Sequence, residues 1–172
     1  MNITQSYDYL VRSRRDLWSA LENVPDEVLS RPLLDGDRFH CIKDLLMHIP
    51  DVEDGWTNGD IRRCQLVQKN FPDLMNTEGG PVYAAFPLKT LLDYWRAVEQ
   101  STLAYLPTLT DAELKRVVTI DDWPDSKLTV DGLLWHVMIH EMRHTAQISI
   151  LLRTQHIKPP FLDLLHYLPL AE

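Results

Sequence analysis

His136, His140 and His144 recur every four residues in a segment whose other positions are largely apolar. At 3.6 residues per turn each step of four drifts by about 40°, so the three rings line one side of a helix. Leu133, Val137, Ile148 and Leu151 share the segment, and several imidazoles buried among such residues need partners. Neutral imidazole binds Zn, Ni, Cu or Fe, and a pair at i and i+4 reaches one ion at about 2 Å. His136 and His144 stand about 80° apart, too far round for three rings of one helix to share an ion. His140 and His144 are taken as the pair, with His136 assigned to their support or to the core.

The run His140-Glu141-Met142-Arg143-His144 also fits H-E-x-x-H, in which two histidines hold zinc and the glutamate is the general base of a peptidase. The longer peptidase pattern fails, because Gln147 and Ile150 stand where it requires Gly and a third His. Glu141 lies about 100° round the helix from His140, so it is expected to orient a neighbour or stay solvated. Asp163 falls beyond Pro159-Pro160 on a short tail, and the third ligand is sought upstream.

His48 meets that need. It sits in the apolar stripe of Leu45, Ile49 and Val52, which faces a bundle interior. Cys41 shares that face but lies about 10 Å along the helix, too far to ligate the same ion. His40, His156 and His166 fall at a helix start, after a helix and in the tail, where exposed or capping histidines are expected. Cys41 and Cys64 form no C-x-x-C pair and read as reduced structural thiols. Trp56, Trp95, Trp123 and Trp135 suit core packing or an interface, with a small-molecule pocket as the alternative.

The elements that must position these histidines follow from periodicity. Apolar residues at three- and four-residue steps predict a first helix over 3–23, and Pro25-Asp26-Glu27 a helical turn. Leu34-Asp35-Gly36-Asp37 reads as a loop. A second helix is predicted over 41–69, kinked near Pro50 because proline removes a donor and crowds the Leu46 carbonyl. Residues 72–87 read as a connection in which Pro81 to Phe86 pack over a bundle end, and a third helix follows at 88–105, stopped by Pro107. Residues 108–127 read as a second connection, with one helical turn at Thr110 to Glu113 and a marginal lone strand at Arg116 to Ile120. The last long helix begins at Thr129 as N-cap and runs to Leu152. Residues 161–168 form an amphipathic tail with a turn or two of helix. Four long helical segments predict a single all-α domain over residues 1–172, a four-helix bundle whose helix order the connections leave open.

Composition excludes other classes. The chain has 172 residues, and its 17 basic against 25 acidic side chains give a net charge of −8, which repels phosphate backbones and argues against nucleic-acid binding. The start lacks the apolar run of a secretory signal, and no segment has the roughly 18 apolar residues that span a bilayer. A cytoplasmic protein without membrane contact is expected.

Leu45-Leu46-Met47-His48 with Trp56, and the run from Leu134 to Ile148 that carries His136, His140 and His144, resemble the DinB/YfiT-like family of metal-binding four-helix bundles. The resemblance spans nearly the whole chain. It implies one ligand histidine in the second helix and two, four apart, in the last, which correspond to His48, His140 and His144. It also implies a bundle with a long crossover, a homodimer, Zn or Ni as the ion, and kinship with putative metal-dependent hydrolases and with thiol S-transferases that use bacillithiol or mycothiol. Thr145-Ala146 stand where one common form of the motif has Arg-Gly.

Three protein ligands leave a coordination position open, the mark of a catalytic zinc site. The expected function is a metal-dependent S-transferase joining a low-molecular-weight thiol to a small electrophile, the ion lowering the thiol's pKa. Two alternatives stand beside it: a hydrolase using metal-bound water, and a non-catalytic, metal-stabilised stress-response or interaction protein. No catalytic acid, base or substrate clamp is identified from the sequence.

Overall fold

The computed structural model describes residues 2–34, 39–75, 83–121 and 123–168. Its long helices are α1 (Ile3–Leu21), α3 (Ile42–Asp54), α4 (Leu88–Tyr105) and α6 (Val130–Thr154), with short helices α2 (Asp26–Ser30) and α5 (Asp111–Lys115) in the connections. The four long helices form an all-α bundle. Asn2 caps α1 through a reciprocal pair with Gln5, and the Thr129 hydroxyl accepts the Gly132 amide at the start of α6.

Two apolar clusters show how the helices run. One joins Leu17, Trp18, Leu45, Ile49, Leu92, Trp95, Ile148 and Leu152, and the other Ile3, Leu10, Ile61, Tyr105, Leu134 and Met138. The chain enters the first cluster late in α1 and α6 but early in α3 and α4. Hence α1 and α6 run one way, and α3 and α4 the other. Two consecutive helices that run parallel need a connection as long as the bundle, and residues 62–87 supply this crossover. The sequence left this order open.

The predicted second helix ends earlier than residue 69. It passes through Pro50 as an α-helix to Asp54, continues as a π-helical segment, Gly55–Ile61, and stops. The Arg62 amide reaches back five residues to Thr57 O at 3.0 Å, the Cys64 amide six to Asn58 O at 2.9 Å, and Arg63 takes φ 50, closing the helix in a left-handed turn. The buried Asp54 carboxylate then accepts the Val67 and Gln68 amides at 3.0 and 2.9 Å, starting a separate 3₁₀ turn, Val67–Asn70.

The strand expected to stand alone has a partner. β1 (Val117–Ile120) pairs antiparallel with β2 (Trp123–Thr129), with Val118 opposite Leu128 and a bulge before Ile120. Val118 and Ile120 point into the second apolar cluster, which stabilises so short a hairpin. β2 carries Pro124 followed by the polar run Asp125, Ser126 and Lys127, so no alternation marks it in the sequence.

The turn after Thr110 forms as α5. In the crossover, Tyr83 and Phe86 pack beside Met47, Leu91 and Tyr94 on the α3–α4 side, while Pro81 and Val82 lie outside the described residues, as do Asp35 to Asp37 of the predicted loop. The tail forms a 3₁₀ turn, Leu164–Tyr167, held to α1 by the Tyr167 hydroxyl on Asp16 at 2.5 Å and by the Tyr9 hydroxyl on Leu162 O at 2.7 Å. No helix among the described residues is long and apolar enough to cross a membrane.

Candidate metal centre

α3 and α6 pack antiparallel, and each turns histidine toward the other. His140 and His144, one helical turn apart, are buried on α6, and His48 is half-buried on α3. His140 Nε2 lies 3.0 Å from His48 Nε2 and 3.0 Å from His144 Nε2. Three donors at bond lengths near 2 Å around a tetrahedral ion stand about 3.3 Å apart, so the observed spacing fits one ion. These three residues could hold a metal ion.

The donor set agrees with that geometry. An imidazole nitrogen carries either a proton or a lone pair in the ring plane, so His140 Nε2 cannot form two ordinary hydrogen bonds of opposite sense. A shared cation satisfies all three nitrogens together. Burial, followed by the charges of His144 and His48, pushes the His140 pKa down to about 3, and burial also lowers that of His144. Both rings are therefore neutral near pH 7, the state that ligates a metal.

The surroundings are aromatic. The Phe39 ring centroid lies 4.5 Å from that of His48 and 5.8 Å from that of His144. His136 is exposed, its ring 5.9 Å from that of His140 and edge-on to Trp56 at 5.5 Å. It belongs beside the cluster and outside the converging trio. Of the four tryptophans named above, Trp56 lies against His136 and the second apolar cluster, on which Trp135 also packs; Trp95 is core and Trp123 is exposed. His40, His156 and His166 are exposed, and Cys41 is buried at the start of α3.

Glu141 does not stay solvated. Its carboxylate is buried and bound by Arg14, from Nε at 2.8 Å and from Nη2 at 2.5 Å. Arg14 also contacts Glu53 at 2.8 Å and Glu99 at 3.2 Å, and the Tyr7 hydroxyl donates to Glu53 at 2.5 Å. Arg15 closes the far side of Glu99. One arginine thus joins a carboxylate from each of α3, α4 and α6 in a polar layer between the two apolar clusters. Burial disfavours the Arg14 charge, but Glu141 and Glu53 outweigh it and hold its pKa above the ordinary value. Burial raises the Glu141 pKa against the pull of Arg14.

The sequence reading missed this layer, although a signal was present. Leu10, Arg14 and Leu17 follow one apolar stripe, as do Ile49 with Glu53 and Trp95 with Glu99. A charge at a core position of every long helix points to mutual neutralisation in the interior.

A profile described as "DinB family" matches residues 1–172. The chain belongs to the DinB family. Among solved structures, a conserved protein from Enterococcus faecalis is similar at 17% identity, with a TM-score of 0.69 over 89% of this chain and 96% of that one. A DinB-like protein from Bacillus cereus is similar at 19% identity, with a TM-score of 0.59 over 92% and 94% of the two chains. At these identities the likeness concerns the fold. No curated protein matches the chain.

Proposed function

We propose that this DinB-family chain binds one divalent transition metal ion, Zn or Ni, through His48, His140 and His144 and uses it for S-transfer from a bacillithiol- or mycothiol-type thiol to a small electrophile. The convergence of the three side chains carries the reading: His140 Nε2 lies 3.0 Å from the Nε2 atoms of both His48 and His144, and the three ligand atoms all fall within 4.8 Å of one another. Three protein donors leave a four-coordinate ion one position for an exogenous ligand. An ion held by His48, His140 and His144 would supply positive charge that lowers the pKa of a nearby thiol toward neutral pH. In the proposed reaction the thiol would give its proton to solvent and its sulfur would bond to the electrophilic carbon as the leaving group departs with its electron pair.

The chain's own residues shape this chemistry. His140 and His144 stay neutral and present lone pairs, and Phe39 borders the cluster with apolar surface. The hydrolase alternative loses its base, because Arg14 holds Glu141 inside the bundle. The proposal includes a homodimer. Ile139, Met142 and Ile150 stand exposed along one side of α6 beside Phe161, an apolar seam suited to a second copy of the chain.

The test is metal content per chain for protein purified without added metal, with His48→Ala, His140→Ala, His144→Ala and His136→Ala compared. One ion in wild type, lost from the first three and kept in the last, is expected. The loaded protein is then given bacillithiol or mycothiol with 1-chloro-2,4-dinitrobenzene, and thioether formation is followed. Metal binding without thiol-dependent turnover supports the non-catalytic alternative, and absence of metal defeats the reading.

A further inference from the structure

Gln147 follows His144 by three residues, so the two side chains meet on one face of α6. Its Oε1 lies 2.6 Å from His144 Nδ1, while His144 Nε2 faces His140 Nε2 at 3.0 Å. The two nitrogens of this ring are coupled. A neutral imidazole carries one proton, so the group that accepts a hydrogen bond from Nδ1 leaves a lone pair on Nε2. The opposite tautomer would aim an N–H into the cluster and exclude a cation.

We propose that Gln147 is a positioning residue: its carboxamide oxygen holds the His144 proton on Nδ1, turns the Nε2 lone pair toward His48 and His140, and thereby sets the metal affinity of the centre. The residue that breaks the longer peptidase pattern thus serves the site in another way. The inference rests on the metal reading above. Partners of this kind change metal affinity by about 10–100-fold when removed. Gln147 is exposed and water competes for its place, so about tenfold is expected here.

The experiment combines Zn(II) competition against a chromophoric chelator with ¹⁵N NMR of the histidine rings in metal-free protein. Wild type should show His144 protonated at Nδ1. Gln147→Met should bind Zn(II) about tenfold more weakly, with the other tautomer populated and the metal-free Tm unchanged; Gln147→Glu, which keeps an acceptor, should bind at least as tightly as wild type. Equal affinity in wild type and Gln147→Met, or His144 protonated at Nε2 in wild type, overturns the proposal. If wild type binds no Zn(II), the metal reading and the affinity claim fail together, whereas Zn(II) binding that is indifferent to Gln147 defeats this inference alone.

Discussion

Arg14 of α1 grips both carboxylate oxygens of Glu141 on α6, at 2.8 and 2.5 Å. Glu141 adjoins His140, and consecutive residues on a helix point about 100° apart. Fixing Glu141 toward the bundle axis therefore fixes His140, and His144 one turn on, toward α3. The same guanidinium reaches Glu53, five residues beyond His48, so it ties both helices that carry the histidines.

Arg14→Met should destabilise the protein by about 3–5 kcal/mol, because it strands buried carboxylates without a counter-charge. For a domain of this size that is a fall in Tm of about 10 °C, measured on metal-free protein by calorimetry. Adding Glu141→Leu to Arg14→Met should cost much less than the sum of the single changes, since the second removes one stranded charge.

Glu141→Gln separates the two readings of H-E-x-x-H. If Glu141 only anchors α6, the variant should keep one ion per chain and any thiol-dependent turnover while losing about 1–3 kcal/mol of stability, because Arg14 then faces an amide. Loss of turnover with full metal content and unchanged stability would instead mark Glu141 as a reacting group.

The apolar period located α1, α4 and α6 within a few residues and put His48, His140 and His144 on facing helix sides, because helix geometry alone relates i to i+4. Other features lay outside what that period can express. The end of α3 at Asp54 depends on a carboxylate that caps a turn thirteen residues later, and β2 is a strand only because Val118 and Ile120 find apolar cover across the bundle. The Arg14 layer depends on four helices meeting at one level, which one-dimensional spacing does not reveal.

Acid should weaken the metal-free protein through His140. Its pKa falls from the ordinary 6.5 to about 3 on folding, so the unfolded chain binds more protons between those values. The stability of wild type relative to His140→Gln should therefore be fully present above pH 6.5 and decline as the pH falls toward 3. Paired urea titrations across that window give the difference. A flat difference would mean that the buried ring is already charged or not desolvated.

His136→Ala should leave metal content and Zn(II) affinity close to wild type. Its ring lies 5.9 Å from that of His140 and meets Trp56 edge-on, and no nitrogen of His136 joins the trio whose Nε2 atoms converge. The neighbouring imidazole does disfavour charge on His140, so its removal should slightly ease protonation of that ring, an effect confined to low pH. Chelator competition at pH 7 on His136→Ala, beside His48→Ala, checks this. Near-wild-type affinity in the first and loss of binding in the second are expected, whereas equal losses would place His136 among the ligands and require α6 to turn or unwind locally.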